Sequence, residues 1–263
     1  MSAGNLSERH RQANSKNRCS PAFAESLHTF PFLLPSKILK SANQFPFNKD
    51  QTDYRGAFIS IVLTALATVA CVLFFDRPTA IFAHQYLRPN QVFSILTHIV
   101  DPVWPITTLA LIYVGVRSLS GRFILTPFWQ TVIVTSLAVI VSIAIKDQLK
   151  FVFGHTWPET WTDNNPSLIS NGTYDFSFLH GGQGWASFPS GHMTQSVALC
   201  VMLLFRVPKY RWIWISYMVV VAVSLYGANF HFLGDMFAGA FIGICTAVCA
   251  NTIWNRFCPG AEA

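Results

Sequence analysis

Charge is what this chain has least of. Asp, Glu, Lys and Arg make up 11% of its 263 residues, where a soluble domain carries about 25%. So few charges cannot keep a fold of this size solvated, which excludes a cytosolic globular enzyme. The 52% share of hydrophobic residues excludes disorder over the whole length. Basic residues outnumber acidic ones, 18 to 12, yet the cations form no continuous basic face. They sit between long apolar runs, which points away from nucleic acid. The cysteines (Cys19, Cys71, Cys200, Cys245, Cys249, Cys258) show no paired zinc spacing. Cys71, Cys200, Cys245 and Cys249 lie inside apolar runs, where the thiol packs as a small hydrophobe, so no disulfide framework is expected. The basic start has no apolar segment close behind it and does not read as a signal peptide. There is no internal repeat, and Gly181-Gly182-Gln183-Gly184 lacks the Lys-Ser/Thr of a phosphate loop. What remains is an integral membrane protein.

The apolar runs predict an all-α, polytopic membrane helix bundle with six transmembrane helices. The first run, 57–75, holds nineteen residues without a charge, long enough to cross a bilayer. The next five are 102–116, 128–145, 191–205, 212–230 and 236–254. The segment 79–100 contains His84, Arg88 and His98 and reads as interfacial helices instead. Residues 1–55 read as a largely flexible cytoplasmic arm, 56–256 as the membrane domain with an outer-face loop over 151–189, and 257–263 as a cytoplasmic tail. With the N-terminus inside, fourteen of the 18 Lys and Arg residues fall on the cytoplasmic side; Arg77, Arg88, Lys146 and Lys150 do not. The opposite orientation breaks the positive-inside rule.

That orientation brings three polar places to the outer side. The first runs from Lys146 to Pro158 and holds Lys150, His155 and Trp157. Lys146, at a span end, fits a lysine reaching back to the interface, whereas Lys150 offers a compact charge to a phosphate. The second is Phe188-Pro189-Ser190-Gly191-His192, directly before an apolar helix. Ser190 is a good helix cap, free amides at a helix start bind anions, and Gly191 lets an anion come close. The third is His231-Phe232-Leu233-Gly234-Asp235. At i and i+4 on a helix, His and Asp share a face, and the carboxylate then holds one ring nitrogen and frees the other for attack. In the loop, the tryptophans fit an interfacial belt, with His180 at the tip of a lid as the alternative.

Pro-Ser-Gly-His followed by His, three residues and Asp resembles the type 2 phosphatidic acid phosphatase family, which includes bacterial lipid phosphatases and the soluble vanadium haloperoxidases. The family pattern reads Lys, six residues, Arg-Pro; then Pro-Ser-Gly-His; then Ser-Arg, five residues, His, three residues, Asp. Here Lys150 is followed after six residues by Trp157-Pro158, and Ser224-Leu225 precedes His231 by the family spacing. The spacings are kept and both arginines are lost. Either His155 and Asn229 replace them in part, or the phosphate is held more loosely, or hydrolysis has been lost.

The resemblance implies a membrane phosphatase acting on a lipid phosphate monoester or pyrophosphate. His231 is then the nucleophile that forms a phosphohistidine, Asp235 orients it, and His192 protonates the leaving oxygen and later activates water. Lys150, Ser190, Gly191 and, more weakly, His155 are expected to bind the phosphate. No metal or other cofactor is implied. The partners implied are the lipid bilayer and its phosphorylated lipids: phosphatidate, phosphatidylglycerol phosphate, a polyprenyl pyrophosphate or a lipid A phosphate. The expected location is a bacterial inner membrane with the site on the periplasmic face. The rivals are a lipid phosphotransferase, a lipid-phosphate-binding relative without turnover, and a zinc hydrolase, whose ligand spacing is absent.

Overall fold

A computed structural model describes residues 54–121, 123–161 and 164–257. Nearly all of the expected N-terminal arm and of the tail lies outside these residues. The described chain is helical, with isolated bridges and no extended strand among the described residues. Helix α1 (Tyr54–Ala70) passes through a π-helical turn, Cys71–Phe75, into α2 (Asp76–Tyr86). Helix α3 (Gln91–Thr97) leads through a 3₁₀ turn to α4 (Val103–Leu119). Then come α5 (Pro127–Phe153), a one-turn α6 (Leu168–Asn171), α7 (Gly191–Arg206), α8 (Arg211–Gly227) and α9 (Leu233–Phe257).

Among the described residues, four stretches are long and apolar enough to cross a membrane: Tyr54–Tyr86, Gln91–Leu119, Pro127–Phe153 and Leu233–Phe257. The six expected spans are therefore only partly matched. The other two runs do form helices, α7 and α8, of 16 and 17 residues. At 1.5 Å per residue each is about 25 Å long, short of a hydrocarbon core of about 30 Å. The segment expected as separate interfacial helices is also different. Its first part extends the first helix, because the charges that end the apolar run find partners. Asp76 is buried, and Arg77 lies 4.8 Å from the centre of the Tyr174 ring.

Helices α7 and α9 form the centre. They pack on each other, and α5 lies against both; α1 covers α9, while α8 covers α7. Buried Val100, Val139, Ala198, Val221 and Leu225 fill the core between them. The close crossing of α7 and α9 depends on Gly239 and Gly243, a small-residue pair spaced four apart. A Cβ on Gly239 would come within 2.6 Å of Ser190 O, and one on Gly243 within 2.7 Å of Thr194 O. Large apolar side chains point outward, among them Phe58, Leu66, Ile106, Leu109, Trp212 and Val223, a surface suited to lipid tails and not to water.

Local signals explain the ends that build the site. Thr126 caps α5, with Pro127 in its first turn. The helix stops at Gly154, whose left-handed φ of 51° turns the chain back over the bundle. A Cβ there would overlap Ser177 O, so glycine is required. The loop that follows is not loose. Ser177 N donates to Gly154 O, Leu179 N to Val152 O and Ser187 N to His155 O, bringing residue 187 back against the start of α7.

Candidate active site

Helix α7 begins where the loop returns. Ser190 is its cap: its Oγ accepts from Met193 N at 3.5 Å, and its own N donates to Asp235 O at 3.0 Å. The first amides of a helix have no acceptor within it. With the Met193 amide taken by Ser190, those of Gly191 and His192 are left at the start of α7. The α9 end sits beside this one. Its Gly234 amide donates to Asp76 Oδ1 at 2.7 Å, and the other Asp76 oxygen accepts from Tyr174 OH at 3.0 Å. A buried carboxylate from the first helix thereby caps the helix that carries Asp235.

His231 lies just before α9, not within it, so the expected shared helical face becomes a contact across a bend. Its Nδ1 is 3.5 Å from Asp235 Oδ2 and 3.5 Å from Ser187 Oγ. Asp235 is fully buried. Its Oδ2 accepts from Ser187 Oγ at 2.5 Å and from Phe232 N at 3.1 Å, and its Oδ1 faces His155 Nδ1 at 3.0 Å. One carboxylate therefore sits between two imidazoles. Burial pushes the His231 pKa down, while Asp235 pulls it up. The net direction is down, so the ring is neutral at neutral pH. With Nδ1 facing Asp235, Nε2 is the nitrogen left for substrate.

A cavity of about 820 Å³ opens in front of His231. Its polar wall includes His192, Lys150, Lys146 and Gly191; Trp104, Ile143, Trp161 and Phe230 supply an apolar side. The centres of the His192 and His231 rings are 6.5 Å apart, with the planes at 61°. Lys150 Nζ donates to Ala186 O and lies 5.4 Å from the centre of the Trp157 ring, which itself stands 5.1 Å from that of His231. His192 Nε2 is 3.7 Å from Asp101 Oδ1, a half-exposed carboxylate that also faces His98 Nδ1 at 2.7 Å.

His231, His192, Lys150 and Gly191 thus share one cavity wall, with Asp235 directly behind His231. Two expected phosphate contacts are placed elsewhere. Ser190 is buried as the α7 cap. His155 is fully buried, stacked on Phe176 with 3.9 Å between ring centres, and turned toward Asp235, because the reversal at Gly154 carries it behind the carboxylate. Neither replacement for the arginines reaches the cavity: Asn229 Nδ2 donates to Glu159 Oε1 at 2.9 Å. Leu225 is core. His180 is exposed beside Trp185 and does not line the cavity. Sequence reading missed Ser187, which no spacing marks, and Lys146, whose position mimics an interfacial lysine. Among the described residues no group of three or more His, Cys, Asp or Glu is arranged to hold a metal ion.

A bundle of membrane-length helices with two imidazoles, a buried carboxylate, lysines and a helix start around one cavity has the outline of a membrane-associated phosphoryl-group enzyme. Residues 131–258 match the family model described as the PAP2 superfamily. The match supports assigning residues 131–258 to the type 2 phosphatidic acid phosphatase family, whose members act as phosphatases or phosphotransferases on phosphate esters. Comparison with curated proteins and with solved structures returned no match.

Proposed function

We propose that this protein is an integral membrane phosphatase that hydrolyses a lipid phosphate monoester or pyrophosphate through a phosphohistidine. The observation that carries the reading is the pair of rings, His192 and His231, facing one cavity at 6.5 Å with Asp235 behind the second. His231 Nε2 attacks phosphorus in line; the P–N bond forms as the bond to the leaving oxygen breaks, and His192 gives that oxygen its proton. His192 then takes a proton from water, which attacks phosphorus and releases His231. Asp235 keeps the His231 proton on Nδ1 and stabilises the imidazolium. Lys150 and the first amides of α7 face the charge on the equatorial oxygens. The apolar side of the cavity, with Trp104 and Ile143, suits a lipid whose tail stays in the bilayer.

In this reading α7 and α8 complete a six-span bundle, with both termini cytoplasmic and the site on the outer face of a bacterial inner membrane. The charge asymmetry supports that orientation. The test is phosphate release from a panel of lipid phosphates by the detergent-solubilised protein, with and without EDTA, beside the His231→Ala and His192→Ala variants. Release by the wild type and loss in both variants is the expected result. Undiminished release by His231→Ala refutes the assignment.

A further inference from the structure

Both arginines of the family pattern are missing, and the residues in their places hold no charge. Trp157 lies tilted beside His231, and Leu225 is buried in the core. The cavity wall nevertheless carries a second cation. Lys146 is on α5, one helical turn before Lys150, so both project to the same side of the helix. A lysine that reaches for the interface leaves its head in water; this one is 15% exposed. Its stem crosses the start of α7: a Cβ on Gly191 would meet Lys146 Cδ at 3.2 Å and Nζ at 3.6 Å. Glycine at 191 is therefore what lets the ammonium lie beside the first amides of the helix. In the cavity the ammonium is paired with Asp147, which is 53% exposed. An ion pair that open holds its partners weakly, and a phosphate dianion competes for the lysine with two charges.

We propose that Lys146 is a second phosphate-binding cation, doing at the start of α7 what a guanidinium does in the family pattern. The inference deepens the phosphatase reading and rests on it for the location of the phosphate. Lys150 holds one side of the anion from the Trp157 wall, and Lys146 holds the side next to Gly191 and His192. The ammonium exchanges Asp147 for phosphate oxygen as substrate enters.

The test is binding of inorganic phosphate to the detergent-solubilised full-length chain, read from the rise in thermal unfolding temperature with phosphate concentration. Lys146→Met and Lys146→Gln should each weaken phosphate binding about tenfold, the loss of one charge-assisted hydrogen bond. Lys146→Arg should retain it. The KM for a short-chain phosphatidate should rise in the same order. Phosphate affinity unchanged in both neutral variants overturns the proposal, and so does a wild type whose unfolding temperature ignores phosphate. A wild type that binds phosphate but releases none from any lipid phosphate overturns the hydrolytic reading alone, and the Lys146 comparison still stands.

Discussion

Replacing His155 by phenylalanine separates the two roles open to that residue. In the structure the ring is buried, stacked on Phe176 at 8° between planes, and held to Asp235 Oδ1 at 3.0 Å through Nδ1. Its Nε2 has no partner. Phenylalanine preserves the ring and the stacking and loses nothing at Nε2; it removes only the Nδ1–H on the carboxylate. Asp235 keeps Ser187 and the Phe232 amide, both on the other oxygen. A hydrogen bond to a buried charged group contributes about 1.5–3 kcal/mol. If Asp235 spends that loss on its hold over His231, turnover falls roughly 10- to 150-fold. The assay is steady-state phosphate release from a lipid phosphate, with kcat and KM resolved. The structure predicts a fall in kcat with KM unchanged, since His155 does not reach the cavity. A raised KM at unaltered kcat refutes the positioning role and restores the direct phosphate contact.

The other predictions test the parts separately. Because burial holds His231 below the ordinary histidine range, the neutral nucleophile persists as pH falls. The acid limb of kcat/KM should lie below about pH 6.5; a limb above it contradicts the assignment. Gly243→Leu drives a side chain into the α7 backbone, an overpacking of at least about 1–3 kcal/mol. It should lower both the unfolding temperature and activity, whereas Gly115→Ala, with nothing within 4 Å of the new Cβ, should change neither. Asp76→Ala leaves the Gly234 amide without its acceptor and the Tyr174 hydroxyl with Val72 O alone, and should destabilise the fold by about 1–3 kcal/mol, read by thermal unfolding.

What sequence could and could not convey follows from the range of the interactions. His192, His231 and Lys150 were legible because each stands at a helix end, where a costly polar group interrupts an apolar run. Asp235 was legible by its spacing from His231, although the helix that was to relate them begins only at Leu233. The placement of His155 was not legible, since it depends on the left-handed turn at Gly154 and on a carboxylate eighty residues away. Lys146 looked like any lysine at a span end until α7 was laid across it. The continuation of the first helix past Phe75 was hidden for the same reason: a buried charge at Asp76 is tolerated only because Gly234 and Tyr174 receive it. Helices α7 and α8 were legible as apolar runs, and their 16 and 17 residues leave the count of spans at four shown among the described residues and six proposed.

Phosphorylation of His231 is the step on which the proposed hydrolysis turns. It is tested most directly by mixing the protein with a lipid phosphate radiolabelled at phosphorus, quenching in alkali, and locating the label by peptide mapping. The wild type, quenched during turnover, should carry acid-labile label on the peptide containing His231, and His231→Ala should carry none. Label on another residue, or phosphate release with undiminished rate from His231→Ala, contradicts the account.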